Sequence, residues 1–288
     1  RHEHLPTPPG VQSPAPDQPA ESAPADTFDE DLSAVIEVYN QAAMQDGVQS
    51  EQRQKRVENL LRFAKLPEGT SILDVGAGSG VLTLALAETT PHEVIGVDIS
   101  PVMLEQAEFR RLNSAHSVAS TVYFRLAAAH ALPFRDERFD VVICRLLLHH
   151  IRDAEKVLNE LVRVLHTGGI LLLADLLSND DPVKRATQNA IEERRNPTHY
   201  AARSAQQYRD LLTNAGLTVV DEKTVTFERE LNEWLAELPL DSANGAIVRE
   251  MMEAGIETDA AGLHTRRQGE TIVFEQRLYY CKAIKEKE

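Results

Sequence analysis

Ile72-Leu73-Asp74-Val75-Gly76-Ala77-Gly78-Ser79-Gly80 is an apolar run that empties into three glycines at alternate positions. The run has strand length and Val81 to Glu88 behind it has helical spacing, so the segment predicts a strand, a tight turn and a helix. Glycine accepts positive φ and lets a ligand approach the backbone, and the helix start offers free N–H groups to it.

Outward from this stretch, apolar runs and helical spacings alternate. Further strands are predicted at Glu93 to Val97, Thr121 to Leu126, Val141 to Cys144, Ile170 to Ala174, Leu217 to Phe227 and Thr271 to Ile284. The continuous apolar runs among them suit strands covered by helices on both faces, which is the habit of parallel sheets. Helices are predicted at Leu32 to Ala43, Gln52 to Ala64, Pro101 to Ser114 with Ser100 as N-cap, and Ala154 to Leu165 with Asp153 as cap and Gly168-Gly169 as terminator. Later ones fall near Val183 to Arg194, Ser204 to Ala215, Leu231 to Glu237 and Gly245 to Ala254. The expected fold class is α/β, a Rossmann-like doubly wound seven-stranded sheet, mostly parallel with an antiparallel last strand, with helices on both faces.

Two segments stand outside that core. Residues 1–26 hold seven of the fourteen prolines and few large apolar side chains, so a Pro-rich disordered tail is expected there, ahead of one domain over 27–288. Residues 228–270 insert helices between the last two strands, and Trp234, Leu235, Leu238, Ile247, Val248, Met251 and Met252 make them amphipathic. Such an insertion suits a lid over an apolar substrate, a homodimer contact, or packing alone. Arg266 and Arg267 fall in the predicted loop before the last strand.

Composition narrows the partners. The net charge of −15 repels a phosphate backbone, and no run approaches the roughly 18 apolar residues of a membrane span, so neither nucleic acid nor stable membrane insertion is expected. Cys144 and Cys281 form no paired framework and no metal cluster, and Arg1-His2-Glu3-His4 lacks the pattern of a secretory signal. A cytoplasmic protein without a metal is the resulting expectation.

The chemistry concentrates at strand ends. Asp74 lies near the start of the turn, and Asp98 ends Val94-Ile95-Gly96-Val97-Asp98, where a carboxylate can accept both hydroxyls of a ribose. Two ligands compete on these residues, a nicotinamide dinucleotide and a nucleoside without pyrophosphate. The turn reads G-x-G-x-G with an acid two residues before its first glycine, where the dinucleotide fingerprint reads G-x-G-x-x-G.

At this point the sequence resembles the class I S-adenosylmethionine (SAM) methyltransferases. The resemblance continues through Ser100-Pro101-Val102-Met103-Leu104-Glu105-Gln106-Ala107, Ala131 to Val142, Leu148-His149-His150-Ile151 and Val164 to Leu172, and through Asn196-Pro197-Thr198-His199-Tyr200. It is nearest to the ubiquinone and menaquinone biosynthesis methyltransferase-like group, which acts on small molecules. The resemblance implies SAM as cofactor and S-adenosylhomocysteine as product. It puts Asp74, Gly76, Ala77, Gly78 and Gly80 around the methionine part, Asp98 on the ribose, and Ile99 and Met103 about the adenine. Tyr39, with Asn40 beside it, closes over the cofactor, and Arg145 borders it. Relatives often carry Gly-Asp-Ala before the Leu-Pro-Phe triplet, whereas this chain reads Ala127-Ala128-Ala129-His130. Adenine recognition then falls to the Ala128 and Ala129 backbone and to His130, at a cost of about 0.5–1.5 kcal/mol.

His149, His150 and His199 are candidates for a base or an acceptor-orienting group, because His149 and His150 follow the fourth strand and His199 lies on a nearby loop. Cys144-Arg145-Leu146-Leu147 replaces the Asn/Asp-Pro-Pro-Tyr/Phe grip of amino-methyltransferases on bases, and no Pro-Cys nucleophile is present. Methyl transfer to carbon or oxygen of a small, partly apolar metabolite is the leading expectation. A SAM-binding protein without methyl transfer and an NAD-dependent oxidoreductase are the rivals.

Overall fold

A computed structural model describes residues 35–41, 51–89, 93–238 and 240–286. The predicted tail at 1–26 and the ends of the first predicted helix lie outside the described residues; its middle is helical at 35–41 (α1).

From α2 onward the chain runs α2 (Glu51–Ala64), β1 (Ser71–Val75), α3 (Val81–Thr89), β2 (Glu93–Asp98), α4 (Pro101–Leu112), α5 (His116–Ala119), β3 (Val122–Leu126) and β4 (Phe139–Arg145). There follow α6 (Ala154–Val164), β5 (Leu165–Leu176), α7 (Pro182–Arg195), α8 (Ala205–Asn214), β6 (Leu217–Glu230), α9 (Leu231–Ala236), α10 (Ser242–Thr258), β7 (Arg266–Gln268) and β8 (Thr271–Lys285). The sheet order is β3-β2-β1-β4-β5-β8-β6. β1 to β5 pair in parallel, β8 runs antiparallel between β5 and β6, and the short β7 folds back on β8 as an eighth strand.

Strand alternation divides the core. Ile72, Val94, Val141, Ile143 and Leu172 face α2 and α3 through Val57, Leu60, Leu82 and Leu86. Leu73, Val142, Cys144, Leu171 and Leu173 face α6 and α8 through Val157, Leu158, Leu161, Tyr208 and Leu212. A leucine fully buried in this way contributes about 1.5–3 kcal/mol. This is the doubly wound arrangement expected from the apolar runs.

Three local expectations change. The α6 helix stops at Val164, and Leu165 is already extended, so Gly168-Gly169 does not terminate it. These glycines belong to β5: Gly168 has φ 81°, and a Cβ on Gly169 would lie 2.8–2.9 Å from the carbonyls of His166 and Asp140, where the β4–β5 register shifts. The α10 helix starts at Ser242, capped by Asp241, three residues before the predicted start. Arg266 and Arg267 are in β7 rather than a loop, paired with Glu228 and Glu253.

The inserted elements form a third apolar cluster, in which Trp234, Leu235, Val248 and Met252 pack with Ile191 of α7 and Phe274 of β8. Trp234 meets the Phe274 ring edge-on at 4.9 Å. Among the described residues no helix is long and apolar enough to cross a membrane.

Candidate cofactor and acceptor site

The carboxyl ends of β1, β2, β4 and β5 meet along one edge, because parallel pairing puts them there and the chain reverses its winding between β1 and β4. At β1 the turn is built on positive φ at Gly76 (77°), Gly78 (54°) and Gly80 (78°). A Cβ on Gly78 would meet nothing within 4 Å, so the turn opens on free space there. A Cβ on Gly80 would lie 2.7 Å from Phe124 and 2.9 Å from Ala107, so that glycine serves close packing underneath. Ala77 continues the turn, its N–H donating to Val97 O at 2.9 Å.

Asp98 closes β2. Its Oδ2 accepts from Gly78 N–H at 2.8 Å and its Oδ1 from Ser100 N–H at 2.9 Å. Burial raises its pKa, and these N–H groups work against the rise. A carboxylate offers about four lone-pair positions, so these backbone donors do not exhaust its capacity to accept from a hydroxyl. Ser100 caps α4 by accepting from Met103 N–H, with half-buried Ile99 and Met103 on either side of it in the chain, and it donates its hydroxyl to Asn40 of α1 at 2.6 Å. Ala127 N–H donates to Asp98 O at 3.0 Å, bringing Ala128, Ala129 and His130 alongside.

Asp74 is 1 % exposed and accepts from the Thr83 hydroxyl at 2.7 Å. Burial pushes its pKa up to about 6, against the Thr83 bond and the Arg145 charge at the end of β4.

Beyond β4 the backbone turns sharply. Leu146 has φ 51°, a left-handed conformation that costs a β-carbon-bearing residue about 1–3 kcal/mol, and its N–H donates to Ala174 O. The following 3-10 turn, Leu148–His150, carries two of the three histidines. The His149 ring lies 3.8 Å from that of His150 and 5.7 Å from that of His199. His150 faces Tyr39 of α1, with Nε2 and the phenol oxygen 2.5 Å apart. Burial pushes the Tyr39 hydroxyl pKa up to about 12. The structure therefore brings together the glycine turn, Asp98, Tyr39 and all three histidines.

Sequence reasoning missed Asp175. It is fully buried at the end of β5 and accepts from His149 Nδ1 at 2.5 Å. The signal available was an acid closing an apolar run, Leu171-Leu172-Leu173-Ala174-Asp175. Also missed were Glu192 and Arg195 on the buried face of α7. Arg195 donates to Trp234 O through Nε (3.1 Å) and Nη2 (2.9 Å), approaches Glu237 at 3.1 Å, and stacks 4.3 Å over the Trp234 ring.

The methyltransferase-domain profile matches residues 66–223, more than half of the chain. The chain belongs to the methyltransferase-domain family. It is 29% identical to an uncharacterized methyltransferase, YcgJ of Bacillus subtilis, over 61% of this chain and 68% of that protein. It is 34% identical to 27-O-demethylrifamycin SV methyltransferase of Amycolatopsis mediterranei over 43% of this chain and 45% of that one. With demethylmenaquinone methyltransferase of Lactiplantibacillus plantarum the identity is 35%, over 41% and 50%. The crystal structure of Bacillus subtilis YcgJ superposes with a TM-score of 0.74 at 23% identity, covering 82% of this chain and all of that one. The protein is a class I SAM-dependent methyltransferase. The free space over Gly78 and the remaining accepting capacity of Asp98 fit its cofactor.

Proposed function

We propose that this methyltransferase modifies an oxygen or carbon of a small, partly apolar metabolite, with the cofactor seated along the β1–β2 edge. The observation that carries the reading is Asp98, tied to the glycine turn and to the α4 cap at once. Asp98 takes the ribose hydroxyls, Ile99 and Met103 flank the adenine, and Ala128, Ala129 and His130 border it. Asp74 and the turn Gly76-Ala77-Gly78-Ser79-Gly80 hold the methionine part, with Arg145 behind Asp74. Tyr39 and Asn40 cover the cofactor from α1 through His150 and Ser100.

Bound SAM supplies an electrophilic methyl group on a sulfonium, a good leaving group. The chain's contribution is alignment of the acceptor and, where needed, a base. The net charge of −15 supports a metabolite rather than a nucleic acid, and two buried free cysteines suit the cytoplasm. The inserted helices border the acceptor side as a lid whose apolar face rests on α7.

Asp98→Ala is expected to weaken SAM binding more than tenfold by calorimetry; unchanged affinity would remove the ribose assignment. Incubation with methyl-labelled SAM and a metabolite extract should move label into an organic-soluble product. Bound SAM with no transfer would favour a binding-only protein.

A further inference from the structure

We propose that His149 is the catalytic base and Asp175 the residue that positions it, so that the acceptor is a phenolic or enolic hydroxyl that must lose its proton as it is methylated. The inference rests on the methyltransferase reading and deepens it.

The three histidines differ in which ring nitrogens are hydrogen-bonded. His150 has both ring nitrogens engaged. Its Nδ1 lies 3.2 Å from Thr198 O and 3.1 Å from Thr198 Oγ1, whose own hydrogen goes to Asn196 Oδ1. The Nδ1 atom is therefore the donor, which leaves Nε2 to accept the Tyr39 hydroxyl. His199 is bonded through Nε2 to Asn189 Oδ1 at 2.8 Å. The orientation of that amide is fixed by Ala202, which donates its N–H to Oδ1 and accepts from Nδ2. His199 Nε2 thus carries the hydrogen, and burial with the charges of neighbouring groups holds its pKa to about 3. Such a nitrogen takes up little proton at neutral pH.

His149 differs from both. Its Nδ1 meets Asp175 Oδ1 at 2.5 Å, and the carboxylate also accepts from Leu176 N–H (2.7 Å), Leu148 N–H (2.7 Å) and His149 N–H (3.3 Å). An ionised carboxylate only accepts, so Nδ1 donates and Nε2 keeps its lone pair. Among the described residues no hydrogen bond engages His149 Nε2. The backbone is held from the other side as well, since His149 O accepts from Tyr200 and Ala201 N–H, and Arg203 donates to Leu148 O and Ile151 O. The imidazole, 6 % exposed beyond the end of β4, thus has a fixed tautomer and a fixed backbone, with its Nε2 lone pair not taken up by a hydrogen bond among the described residues.

A base of this kind matters most for an acceptor that is protonated and weakly acidic, as a phenol is with a pKa near 10. In the step, the hydroxyl proton passes to His149 Nε2 while the acceptor oxygen forms its bond to the methyl carbon. The carbon–sulfur bond breaks with its electron pair left on sulfur, giving S-adenosylhomocysteine, and the imidazolium then returns its proton to solvent.

The test has two arms. In the first, nitrogen-15 histidine NMR of the enzyme with S-adenosylhomocysteine should show a strongly downfield Nδ1–H proton with an unprotonated Nε2, absent from His149→Gln and shifted or absent in Asp175→Asn. Survival of that signal in His149→Gln, or an Nε2–H tautomer in the parent, would overturn the dyad. In the second, methyl-labelled SAM is supplied with catechol, 2-mercaptoethanol or ethanolamine. Label should enter catechol, and His149→Gln should lower kcat about a hundredfold or more with KM changed a few-fold. Imidazole should restore part of the rate to His149→Gly. Transfer to the amine or thiol but not the phenol, or a rate in His149→Gln within threefold of the parent, would overturn the assignment. Calorimetric SAM binding by the same variants separates this from the cofactor reading, which fails only if SAM itself does not bind.

Discussion

Along the β1–β2 edge most polar contacts join close neighbours in sequence, Asp98 to Ser100 across two positions, Asp74 to Thr83 across nine and Asp98 to Gly78 across twenty, with Ser100 to Asn40 across sixty as the exception. Beyond β4 they span the chain, with Tyr39 and His150 separated by 111 positions, Arg195 and Trp234 by 39, and Glu192 and Gln276 by 84. The first half of the cleft is a local motif supported by one sheet edge. The second exists only once α1, α7, β8 and the insertion have all docked, and it is fastened by buried charges. Damage to the second half should therefore cost stability and acceptor binding while leaving the first able to take its cofactor.

The largest test of that division is Arg195→Ala. Arg195 is 8 % exposed, burial lowers its pKa, and it stands between buried Glu192 at 3.9 Å and Glu237, which also holds Arg229. Its loss leaves Glu192 buried beside an empty site and frees the Trp234 carbonyl. Breaking a buried ion pair from one side costs about 3–5 kcal/mol. Urea denaturation should show a loss of that order, and calorimetry well below the melting temperature should find SAM affinity within a few-fold of the parent. A tenfold fall in affinity in the folded variant would show that the two halves are coupled.

The same division explains what could be read from residues alone. The glycine turn, Asp98 and the Ser100 cap announce themselves because their mutual contacts close within the consecutive units β1-turn-α3 and β2-turn-α4, where spacing carries the geometry. The apolar runs gave away the central strands for a similar reason, since burial on both faces leaves a continuous signature. Asp175 was not legible as a partner of His149, because the pairing depends on the β4–β5 register that sets Cys144 beside Leu173 and Arg145 beside Ala174. Glu192 and Arg195 read as ordinary charges on an amphipathic helix until α9 is laid over them. Gly168-Gly169 misled for the opposite reason: a helix stop was the local habit, and strand pairing overrode it.

A middle-sized effect is expected from Asp74→Asn, which probes the local half alone. Asp74 titrates near 6 in the folded chain against an ordinary 3.8. As pH rises through this interval the unfolded chain gives up its proton first, so this group lowers stability progressively from about pH 4 to 6 and by a constant amount above. That amount is about 3 kcal/mol at one pKa unit per 1.36 kcal/mol. Asparagine removes the ionisation and can still accept from Thr83. The variant should match the parent in urea below pH 4 and exceed it by up to about that amount at pH 7. Its SAM affinity should fall, because the ammonium of the cofactor loses its counter-charge. In the parent, affinity should decline as pH drops below about 6, and the variant should show no such decline. A parent affinity that stays level from pH 7 to 5 would separate Asp74 from the methionine part.

The smallest expected effect is at His130, and it asks whether the local half is complete. The stretch Ala127-Ala128-Ala129-His130 carries no carboxylate and is held beside Asp98 by the Ala127 N–H bond to Asp98 O, where the proposed adenine contact falls to it. A neutral hydrogen bond from the imidazole contributes about 0.5–1.5 kcal/mol, so His130→Ala should weaken SAM binding by less than about tenfold. Comparing S-adenosylhomocysteine with S-inosylhomocysteine, which carries a carbonyl in place of the amino group, isolates the contact. If His130 accepts from that amino group, the parent should prefer the adenosyl compound and His130→Ala should lose the preference. An equal preference in both proteins would leave the amino group to the Ala128 and Ala129 backbone, and the local half would then recognise its cofactor entirely through main-chain groups and two aspartates.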